Sequence, residues 1–348
     1  MFCEGHTRPP LDAIVNILGI ETSCDDTSAA VVADGRVLSN VVSSQDEIHA
    51  AYGGVVPELA ARRHLETIQG IIGTAIERAG VSYGQIDAIA VTRGPGLLGS
   101  LLVGVSVAQG LSMRLGVPLL GVNHLEGHVL SPLIEADIEV PFLSLLVSGG
   151  HSALYLVRDI GDYGEIATTR DDSAGEAFDK AAKMLGLGFP GGRVIDALAK
   201  DGDVDAIEFP RARVRADAMA LSFSGLKTAL WEFLRTRGAT VETRDIAASF
   251  QEAIVDVLVD RCTRAMDRLD VRRLALAGGV SANSRLRARM SAELAERGGE
   301  VVFPSPVLCT DNGAMIAAAA HRRLLAGLPG EEVRAVSRLP LGTRLMLV

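Results

Sequence analysis

The fold is decided by a segment that contains a strand, a polar turn and a second strand: ILGIETSCDDTSAAVV, residues 17–32. The apolar runs at its two ends predict strands over Ile14–Ile20 and Ala29–Ala33, with an acidic turn between them. Asp34-Gly35 is typical of a two-residue hairpin turn and precedes a third predicted strand, Arg36–Ser43. The chain therefore begins as a β-meander whose first turn is polar.

The same pattern returns later in the chain as FLSLLVSGGHSALYLV, residues 142–157. Each copy is followed, further along, by a short strand, a glycine loop and a helix, first over Ile86–Leu115 and again over Arg273–Arg297. This repetition predicts a duplicated α/β fold of two halves. The cleft between such halves is the expected ligand site.

The repeat also predicts the domain organisation. We expect a loose N-terminal extension over 1–16, a first α/β half over 17–130 and a second half over 131–312. An apolar helix at about 313–335 is expected to pack back on the first half. Within the first half, Pro57–Ala79 has the apolar spacing of an amphipathic helix.

The composition limits the classes of function. The chain has 348 residues, of which 48% are apolar and 22% charged, so disorder is excluded as its main state. It carries 34 basic and 43 acidic residues, a net charge of −9, which argues against binding nucleic acid by overall charge alone. Most basic residues are arginines, and the lysines are Lys180, Lys183, Lys200 and Lys227.

The cysteines and the apolar segments favour a cytoplasmic protein without a membrane partner. No two cysteines among Cys3, Cys24, Cys262 and Cys309 have C-x-x-C spacing, which fits a reducing compartment. Residues 1–16 lack the apolar run of a signal peptide. Gly94–Met113 has no charged residue, but its glycines and its Gly-Pro-Gly start favour a loop and a small-residue helix over a membrane span.

A pair of histidines is the sharpest candidate for chemistry. His124 and His128 are four residues apart, so on a helix both imidazoles face the same side and can reach one metal ion. Asp311 is the candidate third ligand, although its position before the apolar helix Gly313–Leu325 slightly favours an N-cap.

The position of Glu126 argues against a zinc protease. Such enzymes use H-E-x-x-H, in which the general base follows the first histidine directly. Here the glutamate comes two residues after His124, about 200° around the helix. We therefore expect Glu126 to face away from the histidine pair.

Two glycine loops favour a nucleotide in the cleft. Ser148–Ser152 lies between two strands and Gly278–Asn283 precedes a helix, and both offer backbone amides to a phosphate. Asp179 either joins an ordinary charge pair on its helix or contacts ribose hydroxyls. Lys227, in the segment Ser222–Lys227, is either a phosphate or RNA contact or part of a solvated helix start.

These segments together resemble, in order and spacing, the tRNA adenosine threonylcarbamoyltransferase family from about Ile17 to Leu325. The matching segments are Ile20–Asp25, His49–His64, Gly94–Leu97, His124–His128, Val147–His151, Gly175–Lys180, Ser222–Lys227, Gly279–Asn283 and Cys309–Met315. The resemblance implies an actin-like, Hsp70-like and sugar-kinase-like fold of two α/β halves.

The resemblance also implies a reaction. A threonylcarbamoyl group would move from threonylcarbamoyl-AMP to N6 of the adenosine 3′ of the anticodon, in tRNAs that read codons beginning with A. It implies one divalent metal, Fe²⁺ or else Zn²⁺, on His124, His128 and Asp311. It implies substrate contacts from Leu146, Val147, Ser148, Gly149, Gly150, Asp179, Gly192, Asp196 and Asn283. It implies two protein partners, a small paralogue of the same fold (TsaB-like) and a separate ATPase (TsaE-like).

Some roles stay open from the residues alone. No general base is assigned for the adenosine amine, and His151 is a candidate either for that role or for a ligand contact. The alternatives in function are a carbamoyltransferase for a small molecule and a nucleotide-binding ATPase or scaffold of the same fold. The histidine pair with a distant aspartate argues against the ATPase, because such enzymes hold Mg²⁺ with carboxylates and phosphate oxygens.

An acidic chain needs a local basic patch or a partner to hold tRNA. Two arginine clusters are candidates for such a patch, and each is explained equally well as a solvated face. They are Arg211, Arg213 and Arg215, and Arg285, Arg287 and Arg289.

Overall fold

The apolar runs form strands, and the polar residues between them form the turns. The protein is seen in a computed structural model that describes residues 16–52, 54–211, 219–237, 240–328 and 333–345. The strands are β1 Asn16–Glu21, β2 Thr27–Ala33, β3 Arg36–Ser43, β4 Ala88–Gly94, β5 Leu119–Asn123, β6 Phe142–Val147, β7 Ser152–Asp159, β8 Asp162–Thr168, β9 Arg273–Ala277, β10 Glu300–Val302 and β11 Thr343–Arg344. The helices are α1 Asp46–Ala50, α2 Pro57–Ala79, α3 Leu98–Leu115, α4 His124–Leu130, α5 Ala174–Leu185, α6 Gly191–Ala199, α7 Ser224–Thr236, α8 Thr243–Leu269, α9 Ser284–Glu296, α10 Pro306–Cys309 and α11 Gly313–Leu325.

The two sheets have the same topology. The first sheet has the order β3-β2-β1-β4-β5, and the second has the order β8-β7-β6-β9-β10 with β11 added beside β8. In each sheet the first three strands form an antiparallel meander, and the two later strands join in parallel. The prediction of a duplicated α/β fold is confirmed.

Strands β1, β2 and β4 of the first sheet are buried on both faces, while the edge strand β3 is partly exposed. Leu18 and Ile20 pack with residues of α2 and α3 on one face. Ile17 and Val32 point to the other face, where α4 and α11 lie, and share a core there with residues of the second sheet such as Phe142. Alternate residues of a strand point to opposite faces, so one apolar run supplies both cores. Helices α4 and α11 therefore lie between the two sheets. The opposite face of the second sheet is covered by helices of the second half, including α5 and α8.

Helix α11 sits on the first sheet through a close contact between two glycines. A Cβ atom on Gly313 would lie 2.8 Å from the carbonyl oxygen of Gly19 and 2.7 Å from the amide nitrogen of Ala30. A Cβ atom on Gly19 would lie 2.8 Å from the amide nitrogen of Ala317. The hydroxyl of Ser28 accepts a hydrogen bond from the Gly313 amide at 2.8 Å. Only glycine fits at these two positions without moving the helix away from the sheet.

The structure differs from the predicted bounds at several ends. Helix α11 ends at Leu325 and not near 335, because Gly327 adopts a φ of 68°, which the left-handed region allows and a helix does not. The N-terminal extension lies outside the described residues except for Asn16, which begins β1. The division of the chain near residue 130 stays a prediction.

Helix α3 covers most of the uncharged segment Gly94–Met113, for which the sequence favours a small-residue helix over a membrane span. Within the part of the chain that the structure describes, it is the one helix long and apolar enough to cross a membrane. It follows the Gly-Pro-Gly loop as predicted and packs along α2 and β4. A Cβ atom on Gly104 would meet the Thr22 side chain, so small residues on this helix allow a close approach to the sheet.

We expect Gly19→Ala to lower the free energy of unfolding by about 2–3 kcal/mol, because the added methyl group forces α11 and β1 apart. Urea denaturation followed by circular dichroism measures this loss. Gly70→Ala is the matched control, since Gly70 lies on exposed α2 with no atom within 4 Å of the added Cβ, and alanine should gain about 0.5–1 kcal/mol there. Equal effects of the two substitutions would contradict the tight contact.

Candidate metal centre and substrate cleft

Helix α4 presents both histidines from one turn. It starts directly where β5 ends, and the side chain of Asn123 caps it by accepting a hydrogen bond from the Leu125 amide at 2.9 Å. The imidazole rings of His124 and His128 lie 4.7 Å apart, centroid to centroid, and both are buried. The helical spacing read from the sequence therefore brings the two rings together.

Asp311 joins this pair from the far end of the chain. Its Oδ1 lies 2.9 Å from Nε2 of His128 and 3.7 Å from Nε2 of His124. The interpretation of Asp311 as an N-cap is wrong, because Asn312 is the cap of α11 and its side chain accepts a hydrogen bond from the Met315 amide at 2.9 Å. Asp311 therefore faces the histidines one residue before the capped helix.

These three side chains fit a metal ion. Their ligand atoms all lie within 4.8 Å of one another, and no other group of three such side chains does so among the described residues. Nε2 of His128 faces Asp311, so the two imidazoles and the carboxylate converge on one point. Two imidazoles and one carboxylate suit a divalent transition metal.

Glu21 contacts Nδ1 of His124, on the side of the ring away from Asp311. No sequence motif predicts this contact. Its Oε2 lies 3.1 Å from Nδ1 of His124 and accepts a hydrogen bond from the Thr92 hydroxyl at 2.5 Å. A carboxylate at Nδ1 favours the tautomer with its proton on that nitrogen, so Nε2 is left to face Asp311. The available signal was a lone charge at the end of the otherwise apolar strand β1.

The carboxylates make this centre attractive to cations. Burial by itself would lower the pKa of His124, but Asp311 and Glu21 outweigh it and raise the pKa to about 9. Burial would raise the pKa of Asp311, but the charges of His124 and His128 and the hydrogen bond from His128 lower it well below its usual range. Positive charge is thus stabilised at the point where the three side chains meet.

Glu126 lies on the opposite face of α4, as its spacing predicts. It accepts a hydrogen bond from the Tyr163 hydroxyl at 2.8 Å and pairs with Arg323 through both carboxylate oxygens, at 3.1 and 3.2 Å. Tyr163 belongs to β8 and Arg323 to α11, so Glu126 ties the helix of the histidines to both. It is a structural anchor and is turned away from the position of a protease base.

The glycine turn Ser148–Ser152 faces the cleft next to these residues. Gly149 and Gly150 are exposed, with open space where a Cβ atom would be. The carbonyl oxygen of Gly149 accepts a hydrogen bond from the Ser173 hydroxyl at 2.5 Å, which fixes the turn against the start of α5. The ring of His151 lies 6.5 Å from that of His124. The turn and the histidine pair are therefore neighbours.

Two predicted contact residues, Leu146 and Val147, are fully buried in β6. Their side chains pack into the core on the two faces of the second sheet. Ser148, which follows them, keeps its hydroxyl in the turn and accepts a hydrogen bond from the His151 amide at 3.1 Å. Any contact of Leu146 and Val147 with a ligand is therefore limited to the backbone at the end of the strand.

The remaining predicted contact residues, Asp179, Gly192, Asp196 and Asn283, all lie in the second half. Asp179 accepts a hydrogen bond from the Gly191 amide at 2.8 Å, directly before Gly192. Burial raises the pKa of Asp179, and the charges of Asp46 and Asp25 in the first half raise it further. These influences indicate that Asp179 faces the first half across the cleft.

Asp196 and Asn283 meet at the start of α9. Asp196 accepts hydrogen bonds from the Ser284 amide at 3.2 Å and from its hydroxyl at 2.8 Å. Asn283 caps α9 by accepting a hydrogen bond from the Leu286 amide at 2.9 Å. Its side-chain amide donates to Gln251 at 2.6 Å. Both side chains thus already hold the loop Gly278–Asn283 in place.

Comparison with known proteins decides the family. The sequence profile of TsaD, described as tRNA N6-adenosine threonylcarbamoyltransferase, matches residues 36–318. The chain belongs to this family. A protein of Syntrophotalea carbinolica with that family's name is 50% identical over 330 residues, which are 93% of this chain and 96% of its own. The corresponding protein of Geotalea uraniireducens is 52% identical over 305 residues, 86% of this chain and 89% of its own.

The fold comparison agrees with the duplicated architecture. HypF of T. kodakarensis superposes with a TM-score of 0.63 at 16% identity, over 93% of this chain and 49% of that one. The chain thus spans about half the length of that HypF chain, and the similarity concerns the fold alone. The family predicted from the motifs, the actin-like fold class and the assignment as a tRNA-modifying transferase are confirmed.

We expect His124→Ala to abolish stable binding of a divalent metal, because one of three ligands and the contact to Glu21 are lost together. Metal content after purification, measured by inductively coupled plasma mass spectrometry, reports this. His321→Ala is the control, since His321 lies on α11 outside the cleft and should leave the metal content unchanged. A His124→Ala protein that is folded and keeps its metal would refute the assignment.

We expect Glu126→Gln to lower the free energy of unfolding by about 3 kcal/mol, because the guanidinium of Arg323 loses its buried carboxylate. Tyr163→Phe removes only the hydroxyl and should lower it by about 1 kcal/mol. Urea denaturation of both variants measures the difference. If Glu126→Gln left the stability unchanged, the anchor role would be excluded.

Proposed function

We propose that this chain transfers a threonylcarbamoyl group from threonylcarbamoyl-AMP to N6 of the adenosine 3′ of the anticodon, in tRNAs that read codons beginning with A. The observation that carries the proposal is membership of the tRNA N6-adenosine threonylcarbamoyltransferase family along most of the chain. The grouping of His124, His128 and Asp311 beside the glycine turn supports it. That membership does not favour a small-molecule carbamoyltransferase or a nucleotide-binding scaffold.

The proposed reaction is an acyl transfer from a mixed anhydride. The adenosine N6 forms a bond to the carbamoyl carbon, the bond from that carbon to the phosphate oxygen breaks, and AMP leaves. The amine loses one proton in the process. Because AMP is a good leaving group, no serine or cysteine nucleophile is required. The task of the protein is to bind and orient both substrates.

We propose His124, His128 and Asp311 as the ligands of one divalent metal, Fe²⁺ first and Zn²⁺ as the alternative. Two histidines and a carboxylate are common ligands of both ions. A metal held there would act as a Lewis acid and polarise the carbamoyl carbonyl. Glu21 fixes the ring of His124 for this purpose.

The substrate contacts follow from the residues that border the cleft. We propose that the amides of Gly149 and Gly150 hold the phosphate of the AMP group, because this turn is exposed and has room for a ligand. We propose that Asp179 accepts hydrogen bonds from ribose hydroxyls, with Gly192, Asp196 and Asn283 around the nucleoside. Leu146, Val147 and Ser148 lead into the turn.

His151 has two candidate roles, proton acceptance and contact with a ligand. Burial lowers its pKa to about 4, and the neighbouring rings of His124 and His128 contribute to this. An imidazole with such a pKa is neutral at pH 7 but a weak base, which favours the ligand contact over proton transfer.

We propose that the chain works in the cytoplasm with a small paralogue of the same fold and a separate ATPase. The described cysteines, Cys24, Cys262 and Cys309, are all free thiols, as expected in a reducing compartment. Leu65 on α2 and Leu102 on α3 are 67% and 49% exposed. These neighbouring helices thus offer an apolar surface suited to a protein partner.

The test combines the purified chain, the two partners, threonylcarbamoyl-AMP and unmodified tRNA. Nucleoside mass spectrometry should detect threonylcarbamoyladenosine. Asp311→Asn should reduce product to the level without enzyme, because it removes one ligand charge from the centre. Asp162→Asn, on the surface, should keep activity. Absence of product where a family member works under the same conditions would overturn the proposal.

A further inference from the structure

The arginine clusters considered as tRNA-binding patches are mostly occupied within the protein. Arg211 pairs with Asp256 at 2.9 Å. Arg285 pairs with Glu252 at 2.6 Å, and Arg289 pairs with both Glu252 and Asp256. The other members are Arg287, which donates to the carbonyl oxygens of Ser281 and Pro304, and Arg213 and Arg215, which lie outside the described residues. The carboxylates of Glu252 and Asp256 offset the positive charge of these arginines, which makes this surface a weaker candidate for tRNA.

Helix α7 carries a basic and aromatic face. Lys227, Trp231 and Arg235 follow each other at intervals of four residues, so they lie along one side of the helix. Trp231 is the single tryptophan of the chain, and it is 54% exposed. The guanidinium of Arg235 lies 5.3 Å from the centre of its ring, which holds the indole in a defined orientation.

The positive charge at the end of this face is not neutralised by a neighbour. Within the ranges that the structure describes, no carboxylate forms an ion pair with Arg235, and this arginine is exposed. Lys227, at the other end, lies 3.5 Å from Asp172. Positive charge thus lies directly beside the exposed indole of Trp231 in a chain of net charge −9.

The Lys227 end of this face lies near the glycine turn Ser148–Ser152. Asp171 caps α7 from outside, accepting hydrogen bonds from the amide of Phe223 at 2.9 Å and the hydroxyl of Ser224 at 2.8 Å. Asp172 contacts Lys227, and the next residue, Ser173, bonds to Gly149 in the turn. From Lys227, the face runs about 12 Å along the helix to Arg235. The face thus extends from the neighbourhood of the glycine turn along α7. Nucleotides that flank a bound adenosine could contact it there.

We propose that the face formed by Lys227, Trp231 and Arg235 binds the tRNA loop next to the reacting adenosine. An unpaired base stacks on Trp231, and the basic side chains contact the adjoining phosphates. Unstacked loop bases are typically recognised by aromatic side chains, and phosphates by Arg and Lys. This inference rests on the tRNA-modifying function proposed above.

Steady-state kinetics of the reconstituted reaction tests the proposal. Trp231→Ala and Arg235→Glu should each raise KM for tRNA about tenfold and leave kcat within about twofold, because stacking and phosphate contacts act in binding only. Trp231→Phe keeps a stacking surface and should restore most of the affinity. Arg36→Glu, an exposed charge change on β3 in the other half, should leave KM unchanged.

Wild-type KM in both variants, or a fall in kcat alone, would overturn the proposal. If the unaltered protein produced no modified nucleoside, the proposed function would fail, and that result is separate from a change in KM.

A second measurement does not depend on turnover. Because Trp231 is the single tryptophan, intrinsic fluorescence of the chain reports on this face directly. Added tRNA should quench it, and the quenching should weaken with rising salt and be reduced in Arg235→Glu. Filter binding gives the tRNA concentration that saturates the complex. Unchanged fluorescence at that concentration would contradict the inference, and so would a failure of the protein to retain tRNA on the filter.

Discussion

The architecture depends on the close contact between Gly19 in β1 and Gly313 at the start of α11. This contact sets the N-terminus of α11 directly against the first sheet, where the Ser28 hydroxyl and the Asn312 cap hold it. Asp311 is the residue that then falls beside the histidines of α4, although 183 positions separate it from His128. A ligand from the end of the chain thus reaches the centre through backbone packing.

The same arrangement joins the two halves around one cleft. Helices α4 and α11 lie in the core that both sheets share, and Glu126 ties them together and to β8. The face of α4 that carries His124 and His128 is left for the cleft, opposite the glycine turn of the second half. The candidate metal ligands and the structural anchor Glu126 therefore lie on two opposite faces of one short helix. Glu126 cannot act as the general base of a zinc protease from that position.

Electrostatics divides the surface in a similar way. Inside the cleft, Glu21 and Asp311 favour a cation, and Asp25 and Asp179 add further negative charge. Several arginines elsewhere are paired with carboxylates, as Arg285 is with Glu252. An acidic enzyme can still bind a polyanion if a few cations stay unpaired at the right place, and α7 provides that place beside the turn.

Much of this was predictable from sequence, for definite reasons. Strand pairs and the histidine spacing are local patterns, and so is the position of Glu126 on the far side of its helix. The role of Asp311 was not decided locally, because an aspartate and an asparagine stand together before α11, and either residue type can cap a helix. Only the fold distinguishes them. Glu21 was missed because its partners, Thr92 and His124, are distant in sequence. The pairing of Arg285 with Glu252 was equally invisible from the sequence.

The most direct test of the account is a crystal structure with anomalous diffraction data collected at the absorption edge of the bound metal. The account predicts one anomalous peak per chain, within bonding distance of His124, His128 and Asp311, with Nδ1 of His124 still bonded to Glu21. A peak at other residues, or a fully active crystal preparation without a peak at these three, would contradict it.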